Sequence, residues 1–231
     1  MILELIKIVF RTLAEENPPY FELFKDYEEY HERSLLNPMY EIRYRLISSW
    51  IKPRALILDV GCGEGYFMER LNKEKEAVVR GIDVSHTIVR KLKERGFDAY
   101  VRDVDIEGLK LGTEIYDYIL FIEVLEHLKF PHKVLKESCN HVKEGIIITI
   151  PNTGFIKWRL QLLKGYFPRQ SLTHLHYWTI KDFKIFVEQI GLKPVEVRTE
   201  IDLIKNPLKR RLGKKLQNLL AYQQAWFIKC K

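Results

Sequence analysis

Short apolar runs alternate along this chain with amphipathic stretches of helical period. A continuous apolar run that ends in turn residues is typical of a strand buried on both faces, as in a parallel sheet. The alternation therefore predicts an α/β domain in which strands and helices follow one another. We expect seven strands, at residues 55–60, 77–82, 97–101, 116–122, 145–150, 192–199 and 223–230.

Capping residues predict where the intervening helices begin and end. Ser85 and Thr179 are good N-caps, and Gly96 and Gly191 end the helices that they begin. Further helices are expected from Tyr66, from Pro131 to His141 and from Pro207 to Ala221.

The first 50 residues form a helical segment of their own. Asn17-Pro18-Pro19 interrupts it, and a second helix is predicted from Pro38 to Trp50. Two interpretations stay open for this segment, a cap packed on the sheet edge or a lid over a ligand. We divide the chain into a helical cap, residues 1–50, and a main domain, residues 51–231. The aromatic residues of the cap that recur at helical spacing are Phe24, Tyr27 and Tyr30, followed by His31.

The first strand runs directly into a glycine-rich turn. The sequence from Asp59 reads D-V-G-C-G-E-G, and a helix begins at Tyr66. Glycine lets the backbone turn sharply and approach a ligand, because no Cβ intervenes. The free N–H groups of the following helix favour a carboxylate or phosphate here. Asp59 offers negative charge to an ammonium group, and Cys62 is a small filler within the turn.

A second carboxylate ends the next strand. Asp83 follows the run 77–82 at about the 20-residue spacing at which an acid accepts hydrogen bonds from ribose hydroxyls. The glycines at 61, 63 and 65 do not fit the dinucleotide pattern G-x-G-x-x-G. Turn and carboxylate together predict an adenosine-type ligand.

The motifs D-V-G-C-G-E-G and G-I-D-V-S resemble motif I and the following acidic strand end of class I S-adenosylmethionine-dependent methyltransferases. The resemblance implies a doubly wound, mostly parallel seven-stranded sheet of Rossmann-like type, with the last strand antiparallel and at the edge. It implies S-adenosyl-L-methionine as the cofactor and S-adenosyl-L-homocysteine as the product. The glycine turn would hold the methionine part, Asp83 the ribose and Asp103 the adenine amino group, with Asp105 as a competitor. The implied cofactor-binding residues are Asp59, Gly61, Cys62, Gly63, Gly65, Asp83, Val84, Asp103, Val104, Ile122 and Glu123.

The segment after the fourth strand, E-V-L-E-H-L, allows three interpretations. Glu126 and His127 form a general-base pair, or they only shape the floor of the pocket. Alternatively Glu123, Glu126 and His127 bind a divalent cation with a later histidine, a set that resembles the metal site of small-RNA 2′-O-methyltransferases. We assign no metal site and take His127 and His174 as candidate catalytic residues, with His176 as an alternative to His174.

An insertion, residues 153–178, is expected to cover the substrate side of the cleft. It is amphipathic and basic, so a membrane-surface role is the alternative. The net charge is +7, the pI about 9.1, and basic residues cluster in the helix after Pro207. A solvated surface explains this excess, and contact with nucleic acid or phospholipid is the other interpretation.

From P-N through W-R-L-Q-L-L-K-G to H-Y-W-T-I-K-D-F, the chain resembles MetW methionine-biosynthesis proteins and the wider clan of UbiE- and UbiG-like methyltransferases. The match covers roughly residues 55–195. It implies an alternative function as an auxiliary protein that partners a homoserine acyltransferase.

The function predicted from these features is methyl transfer from S-adenosylmethionine to a small-molecule acceptor at O, N or C. The auxiliary role and an RNA methyltransferase are the alternatives. Three sparse cysteines suggest reduced thiols and a cytoplasmic protein, and no apolar run is long enough to span a membrane.

Overall fold

One mixed sheet of seven strands organises the part of the chain that the computed structural model describes, which is residues 38–167, 171 and 173–230. The strand order is β3-β2-β1-β4-β5-β7-β6. All neighbours pair in parallel except β7, which is antiparallel to β5 and to β6. The expected doubly wound, mostly parallel sheet with an antiparallel last strand is confirmed. The expected edge position of that strand is wrong, because β7 lies between β5 and β6. The strands are β1 Leu56–Val60, β2 Val78–Asp83, β3 Asp98–Val101, β4 Tyr116–Ile122, β5 Val142–Pro151, β6 Lys193–Arg198 and β7 Gln223–Lys229.

Helices connect these strands. The Ser85 side chain accepts a hydrogen bond from the Ile88 amide, and Thr179 forms a capping box with Asp182, as the cap residues predicted. None of the helices in the described ranges is long and apolar enough to cross a bilayer. They are α1 Pro38–Ile47, α2 Tyr66–Lys75, α3 His86–Glu94, α4 Val104–Glu107, α5 Pro131–Ser138, α6 Ile156–Leu163, α7 Ile180–Gln189, α8 Pro207–Lys215 and α9 Gln217–Leu220.

Both faces of the sheet are buried, which explains the continuous apolar runs. Leu58 and Ile119 lie in a core with side chains of α5 and α7, while Ile57 and Leu120 lie in a second core with α1, α2 and α3. Parallel strands buried on both faces need apolar residues at every position. The faces of the sheet are therefore apolar, and polar side chains can act at the carboxyl ends of the strands.

The helix after Pro207 and the N-terminal segment differ most from the expected elements. The single helix expected from Pro207 to Ala221 is two helices, because Leu216 adopts φ −113° and ψ 16° between α8 and α9. Most of the expected N-terminal cap lies outside the described residues, including Phe24, Tyr27, Tyr30 and His31. Its described part, α1, packs into the core through Tyr44, Leu46 and Ile47.

The expectation of three reduced cysteines is wrong. Cys139 at the end of α5 and Cys230 after β7 form a disulfide with a Cα–Cα distance of 5.5 Å. An odd cysteine count is compatible with one bond and one free thiol, and the fold brings these two residues together across a sequence separation of 91. Cys62 is the free cysteine and is buried.

Breaking this bond will destabilise the protein. The chain-entropy model assigns about 4–5 kcal/mol to a crosslink that closes a loop of this length. We expect urea denaturation to show a lower free energy of unfolding in reductant than without it, by about 2–4 kcal/mol. The variant Cys139→Ser/Cys230→Ser should have the same free energy of unfolding as the reduced wild type, and reductant should not change it. A wild type that unfolds at the same urea concentration with and without reductant would contradict the bond.

Candidate active site

The glycine turn between β1 and α2 is fastened to the end of β2. Gly61, Gly63 and Gly65 have φ angles of +72°, +48° and +80°, the left-handed region that favours glycine. The amides of Gly61 and Cys62 both donate to the Ile82 carbonyl, at 2.7 and 3.0 Å. These two hydrogen bonds therefore fix the position of the turn relative to the end of β2.

Asp83 contacts the turn directly. The Gly63 amide donates to one Asp83 oxygen at 3.0 Å, and the Ser85 amide donates to the other at 2.9 Å. The structure thus brings the two predicted halves of the nucleotide site together, at the carboxyl ends of neighbouring strands.

The glycines of the turn meet different surroundings. A Cβ on Gly61 would lie 2.4 Å from Val124 Cγ2, so packing requires glycine there. A Cβ on Gly63 would meet no described atom within 4 Å. The backbone of Gly63 therefore borders open space, which is where a ligand can approach it.

Asp59 is a buried acid of the site that has no hydrogen-bond partner in the described structure. Its side chain is 1% exposed, and neither carboxylate oxygen accepts a hydrogen bond from the described residues. Burial, and to a lesser degree the negative Asp83 nearby, raises the pKa of Asp59 to about 8. Because buried polar groups are normally paired, this carboxylate indicates a missing positive or N–H partner.

Of the two acids expected near the adenine, Asp105 is engaged on both oxygens. They accept the amides of Lys129 at 2.7 Å and Phe130 at 3.1 Å. Asp103 caps α4 with one oxygen, Oδ1, and its Oδ2 has no partner among the described residues. Val84 is apolar yet 58% exposed, whereas Val104 is buried. This arrangement favours Asp103 and Val84 as ligand-facing residues.

Glu123, expected to border the ligand after Ile122, belongs to a polar network that the sequence did not reveal. It has a φ of +57°, uncommon for a residue with a side chain. Its carboxylate pairs with Arg43 of α1 at 2.8 Å and accepts hydrogen bonds from Thr149 and Gln223. The positive charge of Arg43 therefore compensates the negative charge of Glu123. Nothing in the sequence predicts this pair, because its residues are 80 positions apart.

Both candidate catalytic histidines lie together. The rings of His127 and His174 are 4.7 Å apart and edge to face. Burial lowers the pKa of His127, and burial with the adjacent His127 lowers that of His174 to about 4. Burial, with the charge of Glu123, raises the pKa of the neighbouring Glu126 well above its usual range. At neutral pH the two imidazoles are therefore uncharged.

The insertion carries His174 to this position. Its ends meet where the Thr153 amide donates to the Trp178 carbonyl at 3.0 Å. The amides of Leu175 and His176 both donate to the Glu126 carbonyl, at 2.7 and 3.1 Å. His176 itself stacks on Trp178, with ring centroids 4.9 Å apart. The insertion is thus tied to the segment after β4, beside the glycine turn that Val124 contacts.

A family model gives the decisive comparison. The model described as "Methionine biosynthesis protein MetW" matches residues 42–228. The chain belongs to the MetW family. The matched range contains the glycine turn, the histidine pair and the whole sheet except Lys229, the last residue of β7.

Among curated proteins, this MetW-family chain is 31% identical over 116 residues to a ubiquinone biosynthesis O-methyltransferase of Coxiella burnetii. That alignment covers 48% of each protein, so the chain spans about half the length of the curated relatives it matches.

Solved structures share the fold. A SAM-dependent methyltransferase from Archaeoglobus fulgidus superposes with a TM-score of 0.62 at 19% identity, over 92% of this chain and all of that one. A possible histamine N-methyltransferase from Thermotoga maritima gives 0.63 at 17% identity, with the same coverage. The fold is therefore the Rossmann-like class I methyltransferase fold.

Replacing Asp59 by asparagine will change how stability depends on pH. The pKa of Asp59 is about 8 when folded and about 3.9 when unfolded. Between these values the folded protein binds the extra proton, so Asp59 makes stability fall as pH rises from 5 to 8. We expect the free energy of unfolding of Asp59→Asn, relative to wild type, to rise by about 2–4 kcal/mol over this range. Urea denaturation at several pH values measures it, and a constant difference would contradict the raised pKa.

Proposed function

We propose that this protein binds S-adenosylmethionine at the carboxyl ends of β1 and β2 and transfers its methyl group to a small-molecule acceptor. One observation carries the proposal. A buried carboxylate without a partner, Asp59, lies beside a glycine turn that borders open space and is hydrogen-bonded to a second carboxylate, Asp83. This is the charge pattern that suits an ammonium group at one end of a ligand and a ribose at the other.

The methionine part of the cofactor fits the first half of this site. Asp59 would bind the ammonium group, and charge pairing would offset the cost of burying the carboxylate. The turn residues Gly61, Cys62, Gly63 and Gly65 would border the same part. The first amides of α2 lack partners within the helix and would bind the carboxylate of the methionine part.

The adenosyl part fits the second half. Each Asp83 oxygen accepts one backbone amide and keeps a further lone pair for a ribose hydroxyl. Asp103 Oδ2 would accept the adenine amino group, and Val84 would pack against the ring. Val104 and the backbone of Ile122 and Glu123 complete the proposed surroundings.

The cofactor supplies a methyl group already activated by the sulfonium. The residues of this chain therefore need only hold and align the acceptor, and positioning of this kind supplies several kcal/mol of rate acceleration. We propose that His127 and His174 contact the acceptor from the insertion side. The insertion is fastened beside this edge through the Glu126 carbonyl, which favours a small-molecule acceptor.

Gly63→Ala tests the cofactor site with a matched control. Its Cβ meets no atom of the described residues, so the only expected cost in stability is the strain of a left-handed alanine, about 1–2 kcal/mol. Gly96→Ala carries the same strain, since Gly96 has a φ of +84° and open surroundings at the far end of α3. We expect S-adenosylhomocysteine to bind Gly63→Ala at least about tenfold more weakly than wild type, whereas Gly96→Ala binds normally. Calorimetry measures both.

Equal affinities in the two variants would place the ligand away from the turn. A wild type that binds neither S-adenosylmethionine nor S-adenosylhomocysteine would refute the proposal.

Family membership favours a second candidate function, an auxiliary role in methionine biosynthesis. The resemblance to MetW proteins associates that role with a homoserine acyltransferase partner. The cofactor would then be bound without turnover. Methyl transfer predicts labelled S-adenosylhomocysteine and a methylated product when small-molecule extracts are added to the protein. The auxiliary role predicts no turnover and a stoichiometric complex with the purified acyltransferase.

A further inference from the structure

Three side chains of metal-ligating type meet at the acceptor side of the site. Glu126, His127 and His174 each offer one ligand atom, and these atoms all lie within 4.8 Å of one another. We propose that Glu126, His127 and His174 bind a divalent first-row transition-metal ion, with Zn²⁺ as the best match to two imidazoles and one carboxylate. The sequence had led us to assign no metal.

The Glu126 carboxylate is the strongest evidence for a bound cation. It is 1% exposed, and neither oxygen has a hydrogen-bond partner within the described ranges. Arg43, the cation on the neighbouring helix, is already paired with Glu123 at 2.8 Å. An uncompensated buried carboxylate costs several kcal/mol, and an ion held by the trio would compensate it.

The His127 ring is held in the orientation that a metal ligand requires. Its Nδ1 lies 3.2 Å from the Thr173 carbonyl oxygen. A carbonyl only accepts, so Nδ1 carries the proton and Nε2 is left with a free lone pair. A ligating histidine commonly donates its other ring N–H to a carbonyl in this way. His174 also has a buried ring nitrogen, Nδ1, that lacks a partner in the described structure.

The backbone fixes the distance between the two parts of the trio. The Glu126 carbonyl accepts the amides of Leu175 and His176, so the chain on the C-terminal side of His174 is fastened to the segment that carries the other two ligands. Metal bonds of about 2.1 Å bring ligand atoms to about 3.0–3.4 Å apart. The present separations, all within 4.8 Å, exceed these values by less than about 2 Å.

Three protein ligands leave at least one coordination position open, as catalytic zinc sites do. On the proposed function, an oxygen of the methyl acceptor fills that position, which gives His127 and His174 a definite role. The metal site itself does not depend on methyl transfer.

Titration of the metal-free, untagged protein with Co²⁺ tests the site, because cobalt bound to nitrogen ligands absorbs visible light. We expect one equivalent to bind, Zn²⁺ to displace it, and Mg²⁺ to have no effect. Glu126→Gln and His174→Ala should each weaken binding by more than the ~100-fold seen for loss of outer-shell partners. His86→Ala removes an exposed histidine and should bind as wild type does.

Circular dichroism identifies any variant that fails to fold. The other ligand variant then tests whether the side chain it lacks binds the metal. A wild type that binds no cobalt, or variants that bind it as tightly as wild type, would overturn the metal site. S-adenosylhomocysteine binding by the wild type in chelator separates the two proposals. If S-adenosylhomocysteine binds and cobalt does not, the metal site alone is wrong. If cobalt binds and S-adenosylhomocysteine does not, the cofactor proposal alone is wrong.

Discussion

The hydrogen bond from the Gly63 amide to the Asp83 carboxylate is the contact on which the site depends. It joins a turn whose left-handed backbone favours glycine to the end of the neighbouring strand. Parallel pairing of β1 with β2 places these two strand ends at one edge of the sheet. The apolar cores on both faces then hold the sheet, so the polar chemistry is confined to this edge.

Two buried carboxyl groups without hydrogen-bond partners in the described structure lie at this edge. Asp59 and Glu126 are both 1% exposed, and neither accepts a hydrogen bond from the described residues. Each destabilises the free protein, since burying a carboxyl group without a hydrogen-bond partner costs free energy even when the group is protonated. Ligands that pair with these two carboxyl groups would remove this cost in stability. One suits an ammonium group and the other, with two imidazoles, suits a metal ion.

Local patterns predicted the sheet, the glycine turn and the capped helices because these features depend on neighbouring residues. The pairing of Cys139 with Cys230 and that of Arg43 with Glu123 were not predictable, since each joins residues that only the folded chain brings together. The choice between Asp103 and Asp105 also needed the structure, which shows both oxygens of Asp105 bound to backbone amides. The histidine pair was predicted as two candidates, but their contact depends on where the insertion is fastened.

Proton release on ligand binding tests the central claim most directly. At pH 7 the free protein holds a proton on Asp59, whose pKa is about 8, and an ammonium ligand requires that carboxylate ionised. Calorimetry with S-adenosylhomocysteine in two buffers of different ionisation enthalpy counts the protons released. We predict a release of close to one proton by wild type and of none by Asp59→Asn. Tight binding with no release by the wild type would show that the ligand's amino group is not at Asp59.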